Sequence, residues 1–584
     1  VVTLPDFMAD TALARLFSRE RREGDAAWFS LPGGSLLYAP GEASDHLYFL
    51  RTGRLGAFRR EEGQEPQFLG VIRPGEPAGE MAMIAGAPHS AHMVALRDSE
   101  ILALPRAAFF EAVEEDPAVM IELSRLMIRR ARQAGAHASI GDPSVYGFIA
   151  AGDCHAIRPV VERIGRCIAA LGYAVTVEGG ESLLAPTEWF SRVERSHDFV
   201  LYVAEAHETA WKHVVGRQVD RLFRVGRGDQ APPPEPPAYA SRPLQAQRLI
   251  DLILLQPPAA ERPQGSQAWL EATDAARLFH LRENRLADVE RLARVLTGQS
   301  VGLVLSGGGA RAYAHIGAIQ ALRERGIPID FVGGASMGAI VAAGLAMGWD
   351  DGEMEARIRK AFVETSPLDD IAFPLVAMTR GDKVKARLHE HFGDIDIADL
   401  WLPFFCVSSN LTSGAYHLHR SGPLHRALRA SISLPGVLPP VADGDQVLVD
   451  GAVMKNFPAD VMRAFQLGPI IGVDVTRGRS ITAADIDRPP SLWTWLVSGE
   501  WRKGPPIVAL LMRAATVSTG RDLAASREAS DVLITPKLEG VDIRDWRAFE
   551  PAVAAGFEAA AMVLDSLEIP VAELRRRKSL AEMG

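Results

Sequence analysis

A serine held between glycines, Gly334-Ala335-Ser336-Met337-Gly338, has the residue types for covalent acyl transfer: a hydroxyl that attacks a carbonyl once a base takes its proton. Phe331 to Ala335 is strand-like and Ser336 starts a helical pattern, so the serine sits on a strand-turn-helix elbow. The glycines are needed because a Cβ beside the serine would collide with so tight a turn, and the helix N-terminus favours the negative charge that builds up during attack. One helix earlier, the apolar run Val301 to Leu305 ends in Gly307, Gly308 and Gly309, a strand followed by a turn that leaves amide donors facing outward. The base comes much later, in QVLVDGA at Gln446 to Ala452, where an alternating strand ends at Asp450. A carboxylate at one strand end can reach a serine at another.

Chain order decides what kind of base it is. The last histidine is His425, so none follows Asp450, and a triad running serine, acid, histidine cannot be assembled. Asp450 is therefore expected to act directly on Ser336, a two-residue arrangement tuned by the aspartate's surroundings. The competing reading is a dinucleotide site, since Gly307-x-Gly309-x-x-Ala312 fits that fingerprint. It requires an acidic residue at the end of the second strand, and the nearby candidate, Asp330, falls before that strand. The hydrolytic reading is preferred.

With SGGGARA, GASMG and DGA in this order, the second half of the chain resembles the patatin-like phospholipases, and RASISLPGVLPPV and VDGAVMKNFPAD extend the likeness. RLARVLTG at Arg291 to Gly298 makes the neuropathy target esterase type the nearest. The resemblance implies a three-layer α/β/α catalytic domain, Ser336 and Asp450 as a catalytic dyad, and an oxyanion hole from the amides of Gly307, Gly308, Gly309 and Ala310. It implies Arg311 as a loop-orienting residue, no metal, no cofactor, and a phospholipid or lysophospholipid substrate. Two positions depart from the family pattern: Ala312 stands for the last glycine of the loop and Ala452 for the second glycine of DGG. Each adds a methyl group to a turn and removes no reacting group. His315 is read as a satisfied helix histidine, and His417, His419 and His425 are assigned no role.

The whole chain has 584 residues, too many for one core, and is about half apolar. A formal charge of -10 argues against nucleic acid as a partner and against broad attraction to anionic lipid. Cys154, Cys167 and Cys406 match no disulfide or metal pattern and are read as reduced, buried thiols. No signal segment or bilayer-spanning run is visible, so the expected location is cytoplasmic, with peripheral membrane contact.

Four segments are expected. Residues 1–140, with short strands between glycine turns, resemble the cyclic-nucleotide-binding fold, a β-roll. The family's phosphate cassette is degenerate here: Glu80 keeps the ribose-binding position, but in Pro88-His89-Ser90-Ala91 a histidine stands for the arginine. A mostly neutral imidazole cannot supply a permanent bidentate fork, so cyclic nucleotide is an unlikely ligand. Residues 144–270 alternate strands and helices in a Rossmann-like α/β rhythm without a catalytic constellation. Residues 271–299 are read as a connector, with Arg277 to Thr297 as a charged helix pair, and residues 300–584 as the catalytic domain. In the last, Trp493, Trp495 and Trp501 beside Arg502 and Lys503 suit either a membrane interface or a hydrophobic insert over the cleft. The reading for the whole is a serine acyl-hydrolase on a multidomain α/β chain; the alternative is a non-catalytic scaffold that reads a ligand through its first domain.

Overall fold

The computed structural model describes residues 27–59, 67–133, 144–233, 250–476 and 520–576, apart from 153, 155, 186, 274, 365–369, 371–376 and 544. The tryptophan segment, with Trp493, Trp495 and Trp501, lies outside the described residues. The chain divides into two compact units, one of residues 1–255 with 270–276 and 578–584, the other of 256–269 with 277–577.

The first unit opens with an antiparallel roll, in which the long strands His46–Arg59 and His92–Pro105 pair along their lengths. Alternating residues of these strands, among them Leu47, Leu55, Ala95 and Ile101, point inward and are buried. A parallel sheet follows, with strands in the order Ile250–Gln256, Arg221–Arg227, Val145–Ala150, Phe199–Ala204, Val175–Glu178, and helices connect the strands in sequence from Val145–Ala150 to Arg221–Arg227. The strand Phe199–Ala204 is buried at every position, as expected of a strand covered on both faces. Two buried ion pairs join roll to sheet: Arg54 lies 3.1 Å from Asp220, and Arg97 lies 2.8 Å from Glu194. Burial holds the Glu194 carboxyl above its ordinary range, whereas the two arginines and the amides of Ser144 and Val145 hold Asp220 below its own.

The second unit corrects the connector. Arg277–Arg282 is a strand and only Leu286–Thr297 (α1) is a helix, so the expected helix pair is half strand. RLFHLR has no period of two, and three consecutive residues, Phe279 to Leu281, are buried, so its place in the fold outweighs its charged, helix-like composition. Cys154 and Cys406 are buried, as expected of inert thiols, while Cys167 is half-buried.

The sheet of this unit is built on β1 (Gly302–Leu305), β2 (Phe331–Ala335), β3 (Phe404–Asn410), β4 (Ala415–His419), β5 (Val441–Asp443), β6 (Gln446–Asp450), β7 (Ile470–Val473) and β8 (Val532–Ile534). β1 is the centre, flanked in parallel by β2 and β7, and β3 runs parallel to β2. β4 and β6 are antiparallel to β3. Because β4 occupies one edge of β3 over Cys406–Asn410, β2 and β6 must share the other edge, end to end. Ala335 pairs with Val407 there and Asp450 with the next residue, Ser408.

The helices used below are α2 (Ala314–Glu324), α3 (Met337–Met347), α4 (Asp351–Ile358), α5 (Asp382–Phe392), α6 (Leu424–Ser431), α7 (Ala459–Phe465) and α8 (Phe549–Asp565). α3 is apolar on all sides and buried from Met337 to Ala346, which anchors the elbow in the core. Asp330, which the dinucleotide reading would need, is fully buried. It takes two hydrogen bonds from Arg294 on α1 and one from the amide of Val301, a structural role. Among the described residues no helix is long and apolar enough to cross a membrane.

Candidate active site

Ser336 has φ 52° and ψ -130°, a backbone conformation that side-chain-bearing residues rarely adopt. Two features hold it there. The amide of Ser336 donates to Ser431 Oγ at 2.9 Å, and Ser431 in turn donates to the Val407 carbonyl at 2.7 Å. The elbow also lies directly on the backbone of β1. A Cβ on Gly334 would come within 2.7 Å of the Leu305 carbonyl oxygen, and one on Gly338 would overlap the carbonyls of Ser306 and Leu305. The flanking glycines are thus explained by the neighbouring strand as well as by the turn itself.

The Ser336 hydroxyl donates to Asp450 Oδ2 at 2.7 Å. Asp450 is the last residue of β6; its other oxygen accepts the Ala452 amide at 2.8 Å, and its own amide donates to the Ser433 carbonyl at 2.9 Å. The carboxylate is almost fully buried, and this desolvation raises its pKa to about 7 against the opposing pull of the Ala452 and Ser336 hydrogen bonds. The group is therefore poised to exchange a proton near neutrality.

Of the four expected oxyanion donors, two are already engaged. Gly307 N–H donates to the Asn456 carbonyl and Ala310 N–H to the Ile543 carbonyl. Among the described residues that leaves the amides of Gly308 and Gly309 as the two not taken up by a backbone carbonyl. Arg311 Nε donates to the Val475 carbonyl at 2.9 Å.

The histidines take other duties. His315 is fully buried, and its Nε2 donates to the Ser306 carbonyl at 2.8 Å; burial lowers its pKa to about 4, so it is neutral. His419 meets Ser408 Oγ at 2.8 Å and is likewise lowered to about 4 by burial. His417 stacks obliquely beside it, with ring centroids 4.6 Å apart. None of these contacts reaches the side chain of Ser336 or Asp450.

Two contributors were not singled out from sequence. Ser431 lies within RASISLPGVLPPV, and nothing in that text distinguishes its hydroxyl from that of Ser433. Asn456, just before α7, accepts from Gly307 with its carbonyl and donates to the Gly307 carbonyl with its side-chain nitrogen at 3.2 Å. Its pairing with a glycine 149 residues earlier becomes visible only in the fold.

A small apolar hollow, open to solvent, is lined by Ile340, Trp349, Phe362, Leu388, Phe392 and Ile432, with Arg357 and Arg387 among its polar members. Ile340 is one turn beyond Ser336 on α3, and Ile432 immediately follows Ser431.

In the first unit, Glu80 and His89 are buried and Ser90 is exposed. His89 lies flat on Tyr38, with centroids 3.7 Å apart at 12°, and its Cε1 would be 3.2 Å from a Cβ on Gly79. Burial lowers the His89 pKa.

Residues 303–463 match the family described as patatin-like phospholipase, and residues 28–116 match the cyclic nucleotide-binding domain. The chain is 34% identical over 562 residues to an uncharacterized NTE family protein of Mycobacterium tuberculosis, covering 92% of this chain and 91% of that protein. It is 28% identical to neuropathy target esterase sws of Drosophila melanogaster, over 85% of this chain and 39% of that protein. Patatin-like phospholipase domain-containing protein 6 of Homo sapiens is 27% identical, over 94% of this chain and 45% of that protein. A cyclic nucleotide-binding domain from Methylobacillus flagellatus is 26% identical over 19% of this chain and 64% of that one, with a TM-score of 0.18.

Proposed function

The chain belongs to the NTE family, with a patatin-like phospholipase region, and from that premise we propose that it is a serine acyl-hydrolase of glycerophospholipids, with lysophospholipids as preferred substrates. The observation that carries the reading is the 2.7 Å hydrogen bond from the strained Ser336 to a carboxylate whose pKa is about 7.

Ser336 Oγ attacks the ester carbonyl as Asp450 Oδ2 takes its proton. Negative charge on the former carbonyl oxygen is met by the amides of Gly308 and Gly309 and by the N-terminus of α3. When the tetrahedral adduct collapses, the leaving alcohol takes the proton from Asp450 and the acyl group remains on Ser336. Water then attacks this ester as Asp450 again accepts a proton, releasing the fatty acid and returning the proton to Ser336. The apolar pocket supports a fatty-acyl substrate, because each methylene buried there contributes ~0.8 kcal/mol. Selectivity should therefore climb with chain length until the pocket is filled. Contact with a lipid surface through Trp493, Trp495 and Trp501 belongs to the same proposal. The first two changed to serine should lower vesicle association while hydrolysis of a small soluble ester persists.

The deciding experiment pairs a fluorophosphonate probe with a panel of lysophospholipid, diacyl phospholipid and short soluble ester. Labelling that disappears in Ser336→Ala, with turnover highest on lysophospholipid, is the expected result. A chain that takes no label and cleaves none of the panel would be the non-catalytic scaffold instead.

A further inference from the structure

Away from the serine, three side chains converge at one end of α5. His389 lies in the last turn of α5, Asp394 follows that helix, and His425 is in the first turn of α6. One coordinating atom from each lies within 4.8 Å of the other two. His389 Nδ1 is 3.4 Å from Asp394 Oδ1, and His425 Nδ1 is 3.9 Å from the same oxygen. No sequence motif announces them, because the third member stands 31 residues after the second.

The backbone holds the three in place. Gly393 has φ 60° and ψ -156°, a conformation essentially restricted to glycine, and it turns the chain so that Asp394 folds back towards His389. The segment after Asp394 is then pinned beside the start of α6. Leu424 N–H donates to the Ile395 carbonyl at 2.8 Å, and Ile397 N–H donates to the Gly422 carbonyl at 2.9 Å. Asp394 and His425 are thus set side by side by main-chain hydrogen bonds, independently of any attraction between their side chains.

The chemistry of the set is specific. Among the described residues His425 Nδ1 is buried yet has no hydrogen-bond partner, a cost that a bound group would remove. For a tetrahedral ion with bonds of about 2.0 to 2.2 Å, ligand atoms stand roughly 3.3 to 3.6 Å apart. One of the distances already meets that spacing and the other exceeds it by a few tenths of an ångström. The longer one is between Asp394 and His425, and the exposed Asp394 carboxylate can make up that shortfall. Two imidazoles and one carboxylate, with a side open to water, suit a borderline divalent transition ion and disfavour magnesium or calcium, which take oxygen ligands.

The geometry points to a divalent transition-metal site formed by His389, Asp394 and His425, an ion clamp that ties the end of α5 to the start of α6. It plays no part in the ester-cleaving chemistry. Its structural reach is nonetheless clear, since α6 ends at Ser431, which holds the Ser336 amide.

Zinc is the probe. Full-length protein is stripped with a chelator, dialysed, and titrated with zinc chloride by calorimetry, with thermal unfolding followed in parallel. One-to-one binding that raises Tm is expected. His389→Gln, Asp394→Asn and His425→Gln, each verified as folded by circular dichroism, should each lose more than about tenfold in affinity, since even outer-shell partners are worth about 10- to 100-fold. Zinc that binds all three variants as tightly as the parent chain would overturn the assignment, and so would a parent chain that binds none.

Discussion

Ser336 and Asp450, 114 residues apart, meet because the strands that carry them end nose to nose on the same edge of β3: Ala335 pairs with Val407 and Asp450 with Ser408. β2 arrives parallel and β6 antiparallel, so both chain directions deliver a side chain to one point. The strand between them supplies both backbone and side chain: the Val407 carbonyl accepts from Ser431, which positions the serine amide, and Ser409 Oγ donates to the Asp450 carbonyl at 2.9 Å.

The first prediction sets activity against stability. A pKa of about 7 on Asp450, above its ordinary 3.8, means the folded protein holds this proton more tightly than the unfolded chain. The resulting stability is present in full below about pH 4 and is lost as pH rises through about 7. Hydrolysis needs the carboxylate, so kcat/KM should rise over the upper part of that window, with an inflection near 7. Asp450→Asn should abolish turnover yet melt higher than the parent at pH 8, by an amount on the order of a few kcal/mol at ~1.4 kcal/mol per pK unit. A variant that melts at the parent's temperature at pH 8 would contradict the burial argument.

Backbone strain at the nucleophile can be isolated by comparing two inactive variants. Ser336→Ala and Ser336→Gly both lose the hydroxyl, but only glycine relieves φ 52°. Ser336→Gly is expected to be the more stable by about 1 to 3 kcal/mol, read from urea denaturation midpoints at equal m-value. Equal midpoints would mean the elbow stores no strain.

Ser431→Ala tests the brace behind the elbow. It leaves the amide of Ser336 buried without its acceptor, which costs about 1 to 3 kcal/mol. The same loss frees the nucleophile to leave its attack position, so kcat should fall while KM changes little. Unaltered kcat in folded protein would show that the hydroxyl is dispensable.

Gln replacements of His315, His417, His419 and His425, made singly, should each keep substantial turnover. His315 and His419 are occupied by Ser306 and Ser408, and burial lowers both to about 4. A folded variant among the four as inactive as Ser336→Ala would return a histidine to the mechanism.

Cyclic AMP and cyclic GMP should show no micromolar binding by calorimetry. Lowering the pH to 6 should not rescue it, because burial against Tyr38 pushes His89 down and away from the cationic form. Tight binding at pH 6 alone would show that the stack opens.

What could be read from sequence was local. The elbow, the glycine turn and the strand ending at Asp450 each carry their signal within a few residues, as glycine spacing or an alternating pattern, and each is where it was expected. Long-range pairings carry no such signal. That Gly307 and Ala310 spend their amides on Asn456 and Ile543 depends on segments far along the chain. Arg277–Arg282 differs from the expected helix because its six residues carry no alternation, and only tertiary burial of Phe279 to Leu281 sets it as a strand.

The buried pairs Arg54–Asp220 and Arg97–Glu194 make the roll and the parallel sheet a single heritable piece. Composition changes near residue 140, where a protein engineer would cut. A sheet expressed without its roll would keep Asp220 and Glu194 and lose both counter-charges, a defect of about 3 to 5 kcal/mol for each pair broken on one side. Shuffling that joins a foreign roll to this sheet must therefore bring two arginines at the matching strand positions. The linkage gives the chain a reason to keep its roll whether or not that roll binds a nucleotide.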